Sequence, residues 1–211
     1  MSGEIKNIVF DFNGVVSKSN KSEIIKKIDY KDICNLFCYG FSFLTNSGFR
    51  NDVKSAYKSI MMGKISCENI YALFENQHPN KSGSIKKIIE SFIDSMRTQD
   101  GLILLIDYLR SNGFRVYILS NSIPKTERMI KSEEIESHFD GVYCSNEFGL
   151  IKPDIAIYED ACKKWGILPQ ESIFIDDKKE NVKGAKNAGF NNAFCLTDED
   201  QIIQQVSSYV L

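Results

Sequence analysis

An α/β fold is what this sequence predicts: a parallel sheet covered by helices on both faces, with an all-helical segment inserted after the first strand. Three observations predict it. A short apolar run, IKNIVF at residues 5–10, opens the chain. Residues about 20–98 then show helical periodicity and almost no strand candidates. From about residue 100, apolar strand-like runs alternate with amphipathic helical ones, the pattern of parallel strands joined by helical crossovers.

The elements follow in order. The run at residues 5–10 stops at Asp11, and DFNGVV turns at Gly14. In the second segment KSEIIKKI, KDICNLF, NDVKSAYKSIMM, SCENIYALF and SIKKIIESFIDSM each place apolar residues at helical spacing. Ser66 is expected as an N-cap with Asn69 in the third helical position, and Gly40, Gly48, Gly63 and HPNKSG punctuate the helices. GLILLIDYLRSNG reads as a helix closed by Gly113, followed by the strand FRVYILS at residues 114–120. PKTERMIKSEE reads as one helix, GVYCS (141–145) as a strand, and PDIAIYEDACKKWG as a helix from Pro153 to Gly166. SIFID (172–176), a helix over KENVKGAKNAG, the strand NNAFCL (191–196) and a helix at about 198–209 complete the chain. The expected division is a Rossmann-like core of residues 1–17 and 99–211, with a helical cap at 18–98.

Composition narrows the functions. The 211 residues are 43% hydrophobic and 26% charged, ordinary for a folded soluble protein. Net charge is −2, so no basic footprint argues for nucleic acid. No apolar run reaches the length of a membrane span, and the N-terminus lacks the pattern of a signal peptide. A cytoplasmic protein is expected, with no membrane partner. The six cysteines, Cys34, Cys38, Cys67, Cys144, Cys162 and Cys195, are spread out and read as buried free thiols in a reducing compartment. Cys34 and Cys38 share a helix face, but neither His78 nor His138 is spaced to complete a zinc site.

The chemistry gathers at the strand exits, where ligands bind in open parallel sheets. The first strand exits into Asp11, the second into Ser120-Asn121 and the fourth into Asp176-Asp177. Lys152, in GLIKPD, follows the third. Each residue alone has a plain reading: an aspartate at a strand end caps the next helix, and a lysine before a proline lies on the surface. Their recurrence at every exit favours a site.

These motifs, hydrophobic-strand-DFNGVV, YILSN, the KPD lysine and FIDDKKEN, come in the order of the haloacid dehalogenase superfamily, which the chain resembles. The helical insertion resembles that family's C1-type cap, and GKISCENIYALF is similar to cap segments of its sugar-phosphate phosphatases. The resemblance implies a Mg²⁺-dependent phosphatase acting on a small phosphorylated metabolite. Asp11 is then the nucleophile that forms an aspartyl phosphate. Asp11, Asp177 and the Asn13 carbonyl are hard oxygen ligands for Mg²⁺, with Asp176 acting through water or behind them. Ser120 donates to a phosphoryl oxygen, assisted by the Asn121 or Ser122 backbone N–H. Lys152 neutralises developing charge and holds Asp11 ionised. Asn181 orients the acidic pair.

Position 13 is a misfit. The resemblance implies a second aspartate there, which protonates the leaving oxygen; an amide cannot, and such a step is worth ~10²–10⁴ in rate. Three readings stand: an active phosphatase that relies on water, a cap residue or a good leaving group; a non-hydrolytic protein that binds a phosphorylated ligand; or an engineered asparagine. The first is preferred. A 2-haloacid dehalogenase ranks lower, because adjacent Asp176 and Asp177 without a cation repel each other. A phosphonate hydrolase would need a cap lysine, and Lys18, Lys21, Lys26 and Lys27 are not distinguished. Arg50 and Lys18 are candidates for a substrate anion. The aromatics of the insertion, Phe37, Tyr39, Phe41, Phe43 and Phe49, are expected to fill its own small core.

Overall fold

A computed structural model of the chain describes residues 4–210. It begins with β1 (Asn7–Phe10) and β2 (Ser17–Ser19), followed by α1 (Lys21–Lys27), α2 (Tyr30–Thr45), α3 (Ser47–Met61), α4 (Cys67–Gln77) and α5 (Ser82–Asp94). Then come β3 (Met96–Thr98), α6 (Asp100–Ser111), β4 (Arg115–Ser120), α7 (Pro124–Ile130), α8 (Glu133–Glu136), β5 (Gly141–Cys144) and α9 (Ser145–Phe148). The chain ends with α10 (Ile155–Trp165), β6 (Ser172–Asp176), α11 (Lys179–Asn187), β7 (Asn192–Cys195) and α12 (Glu199–Val210). It divides into two compact units, Met1–Lys18 with Thr98–Leu211, and Ser19–Arg97.

The first unit is Rossmann-like. Its five strands form one parallel sheet in the order β5-β4-β1-β6-β7. β1 is central, and Ile8, Val9 and Phe10 are all inaccessible to solvent. That explains its unbroken apolar run: a strand covered on both faces has no polar side to alternate with. On one face Val9, Tyr117, Leu119 and Phe174 pack with Ile157, Tyr158 and Ala161 of α10 and with Val182 and Ala185 of α11. α6 packs on β4 and on α12, burying Leu102, Ile106, Leu109, Ile202 and Val206.

Register fixes what emerges together from the sheet. Phe10 lies opposite Ile118 on one side and Ile175 on the other. One step further on, the chain places Asp11, Leu119 and Asp176 abreast, and the Asp11 N–H donates to the Ile175 carbonyl at 2.8 Å. Two acidic residues and a backbone carbonyl therefore share one level at the sheet's carboxyl edge.

The helical unit has a core of Tyr39, Phe49 and Ile85, packed with Val53, Phe74 and Ile89. A capping box at Asp29 and Asp32 starts α2, with the Asp32 N–H donating to Asp29 Oδ1 at 3.0 Å. Ser66 stands at the N-cap of α4, where its N–H donates to Asn69 Oδ1 at 3.1 Å.

Several expectations need correction. Of the five aromatics assigned to this unit's core, only Tyr39 and Phe49 are buried; Phe37 and Phe41 are exposed and Phe43 is half-buried. They sit on opposite faces of one helix, and aromatic content alone does not say which face turns inward. Of the cysteines only Cys144 and Cys162 are buried; Cys34, Cys38 and Cys67 are half-buried and Cys195 is exposed. Met96 was expected to be helical. Instead α5 ends at Asp94, Ser95 Oγ donates to the Phe92 carbonyl at 2.8 Å, and the chain extends into β3 to pair with β2. A pairing between residues so far apart in sequence leaves no local periodicity. The helix predicted over PKTERMIKSEE is two, α7 and α8, and α10 begins at Ile155, two residues after Pro153.

Candidate active site

Lys152 organises the carboxyl edge of the sheet. It follows β5 and α9 on a loop, yet its side chain is buried. Its Nζ donates to Asp11 Oδ1, to the Leu119 carbonyl and to Asp176 Oδ2, each at 2.7 Å. An ammonium has three protons, and here one goes to each of the adjacent strands β1, β4 and β6. Lys152 is thus neither a surface residue nor a free donor for a ligand.

Asp176 is the best satisfied carboxylate. Besides Lys152 it accepts from the Lys178 N–H at 2.9 Å and from Asn181 Nδ2 at 2.9 and 3.0 Å. Burial pushes its carboxyl up, but the ammonium and these hydrogen bonds outweigh that and hold it below the ordinary range. Burial alone would lower Lys152, but the charges of Asp11 and Asp176 raise it. Asp11 has only that shared ammonium against its own burial and the nearby charges of Asp176 and Asp177, and its carboxyl is pushed up to about 7. Asp177, half-buried beside Asp176, is pushed up by burial first and then by its neighbour's charge.

Three carboxylates therefore face one ammonium. Asp11, Asp176 and Asp177 each offer an oxygen, and these oxygens lie within 4.8 Å of one another. Asp177 Oδ1, Asn13 Oδ1 and Ser120 Oγ are buried with no hydrogen-bond partner among the described residues. Orphaned buried acceptors are costly, so each is a place for a ligand atom. Gly14 has φ +93°, and a Cβ there would stand 2.9 Å from Asp177 Oδ2. Only glycine lets the turn after Asp11 approach the Asp177 carboxylate this closely. The donor set is all hard oxygen with excess negative charge, and it fits a Mg²⁺-sized cation. Asp11 and Asp177, with the Asn13 carbonyl, would hold such an ion.

Two residues take roles different from those expected. The side chain of Asn121 does not reach outward: its Nδ2 donates to the Lys152 carbonyl at 2.9 Å, and its Oδ1 accepts from the Lys152 N–H at 2.8 Å. It clasps the lysine's own peptide. The Ser122 N–H, expected to assist a phosphoryl oxygen, is taken by Ser145 Oγ at 3.0 Å. Asn181 orients Asp176 and forms no recorded bond to Asp177. Sequence reasoning missed Gly184, where a Cβ would collide with the Pro153 carbonyl. The absent side chain lets α11 close on the turn after Lys152. A glycine inside a helical run was the signal available.

The other candidates lie apart from this cluster. Arg50 donates to the Phe43 and Leu44 carbonyls within the helical unit, and Lys18 is exposed. His78 meets Ser42 Oγ at 2.7 Å, and His138 meets Asp107 at 2.7 Å.

Comparison with known proteins places this geometry. A family model described as haloacid dehalogenase-like hydrolase matches residues 5–189. A glyceraldehyde 3-phosphate phosphatase of Methanothermobacter thermautotrophicus is 39% identical over 90 residues, which is 41% of this chain and 39% of that protein's length. A sesquiterpene phosphatase of Aspergillus oryzae is 25% identical over 190 residues, covering 90% of this chain and 89% of the other. A HAD-like hydrolase structure from Porphyromonas gingivalis superposes with a TM-score of 0.73 at 24% identity, over 99% of this chain and 98% of that one.

Proposed function

Because the chain belongs to the haloacid dehalogenase-like hydrolases, whose family model spans residues 5–189, we propose that it is a Mg²⁺-dependent phosphatase using Asp11 as nucleophile. The observation that carries this reading is three clustered carboxylates balanced by one ammonium, with unpartnered oxygens on Asn13, Ser120 and Asp177 beside them. The substrate class is a small phosphorylated metabolite. The helical unit Ser19–Arg97 is taken as the cap that the resemblance implies, which selects metabolites over phosphoproteins. The named relatives span a triose phosphate and a sesquiterpene, so neither fixes the substrate.

Each residue has a task in this chemistry. Lys152 orients Asp11 through Oδ1 and favours its ionised form. Asp11 attacks phosphorus; an O–P bond forms to its carboxylate while the bond to the leaving oxygen breaks. Ser120 Oγ, having no partner of its own, donates to a phosphoryl oxygen. When bound, the cation neutralises the excess carboxylate charge and polarises the phosphoryl group. Asn13 carries no transferable proton, so the leaving oxygen takes its proton from water. Water then cleaves the aspartyl phosphate and frees inorganic phosphate. Asp176, buried and fully bonded, keeps Lys152 in place.

The test is phosphate release from an aryl phosphate with Mg²⁺, with EDTA, and from Asp11→Asn. Release that needs the metal and vanishes on the substitution supports the reading. Asn13 specifically favours one other reading, a protein that binds a phosphorylated ligand without hydrolysing it. Mg²⁺ binding without turnover on a panel of phosphorylated metabolites would decide for that one.

A further inference from the structure

Helix α2 is built inside out. The residues it buries are Asp32, Asn35, Tyr39 and Ser42, spaced three, four and three apart. All four are polar or carry a polar group, and all are satisfied within the helical unit. Asp32 pairs with Lys87 at 2.5 Å, Asn35 donates to Ser84 Oγ at 2.9 Å, Tyr39 donates to the His78 carbonyl at 3.3 Å and Ser42 meets the His78 ring at 2.7 Å. The opposite face carries Tyr30, Ile33, Phe37, Phe41 and Leu44. Tyr30 is 81% exposed, Phe37 74%, Phe41 70% and Leu44 76%. An ordinary surface helix turns its apolar stripe to the core and its polar face to water.

We propose that two copies of this chain pair through the outer stripe of α2, antiparallel about a two-fold axis near Phe37. The spacing of the stripe, three and four residues alternating, is the seam along which helices pair. In that arrangement Tyr30 meets the partner's Leu44, Ile33 meets the partner's Phe41, and the two Phe37 rings lie side by side. Gly40 lies on the same stripe with nothing within 4 Å of where its Cβ would stand, which allows the backbones to approach. From Ile33 to Thr45 the helix has no charged residue, so self-pairing brings no like charges together. With an aromatic ring at ~200 Å², the stripe offers roughly 600 Å² per copy. A standard interface needs ~800 Å² per partner, and Leu36, exposed at the edge of the stripe, adds to the total. A patch of this size is unusual on a monomer.

A second helix suits this face better than other occupants. Sites for small molecules are concave, and a helix stripe is convex. Helices that lie on membranes carry lysine and arginine on the polar face; here that face is buried and Lys31 is the only basic residue of α2.

Sedimentation equilibrium on the full chain tests this without requiring turnover. The wild type should sediment at twice its chain mass of 24.0 kDa. Phe37→Glu and Phe41→Glu should each sediment as one chain with unchanged circular dichroism. Leu104→Glu, at an exposed leucine of α6, should leave the pair intact. If either glutamate variant misfolds, Phe37→Ala carries the test: it should weaken association on the order of tenfold or more. A wild type of single-chain mass would overturn the proposal, as would a pair that survives both glutamates. Single-chain wild type that binds phosphatidylcholine vesicles or a prenyl alcohol through Phe37 would likewise overturn it, in favour of an apolar ligand.

Discussion

Lys152 donates its three protons to three neighbouring strands, and that count governs what its loss would do. Lys152→Met leaves Asp11 and Asp176 buried without a counter-charge, which should cost about 3–5 kcal/mol in denaturant unfolding. The sign with pH follows from Asp11. Its carboxyl is raised from the ordinary 3.8 to about 7, so the folded state holds that proton more tightly than the unfolded chain does. Without a cation, Asp11's contribution to wild-type stability should fall as pH climbs from about 4 to about 7. The Lys152→Met defect should be largest at neutral pH and above, and should shrink as acid protonates the carboxylates. At position 13 the missing proton predicts that aryl and acyl phosphates turn over faster than alkyl phosphates, and that Asn13→Asp narrows the gap. Equal rates for all leaving groups, untouched by the substitution, would remove the defect assigned to Asn13. Asp11, Ser120, Lys152 and the aspartate pair were legible because each ends an apolar run. The saturation of Lys152 was not, since it depends on three strands lying in register.

Elements determine how those residues are held. β4 exits into Asn121, whose amide clasps the Lys152 peptide from two sides. Asn121→Ala should free that loop and lower kcat on the order of 10- to 100-fold, with little change in KM, because it shifts a positioned group and removes no substrate contact. A large rise in KM at constant kcat would instead assign Asn121 to substrate binding. The strands β1, β4, β6 and β7 were legible to within two residues at each end, because buried parallel strands announce themselves as apolar runs. β2 and β3 were not, as three-residue strands paired across the whole helical insertion have no local signature. Helix α2 was recognised as a helix, but its inward face was not. Periodicity marks an apolar stripe and is silent about whether that stripe turns in or out.

At the scale of the whole molecule, a cation at the Asp11–Asp177 site is linked to folding. Mg²⁺ at a hundred times its dissociation constant should raise stability by ~2.7 kcal/mol, seen as a higher Tm that EDTA reverses. Asp177→Asn should abolish most of that gain. A Tm indifferent to Mg²⁺ in the wild type would count against the site as a metal centre. Among the described residues, no helix is long and apolar enough to cross a membrane.

The sequence by itself determined the α/β class, the order of the strands, the helical insertion and the residues at each strand exit, because burial and helix periodicity are written locally. Only the tertiary structure decided that Asp11, Leu119 and Asp176 stand abreast around one ammonium, that Asn121 faces a peptide, and that α2 shows its apolar side to solvent. These depend on register between strands and on which face of a helix finds a partner, and both are settled by contacts between residues remote in the chain.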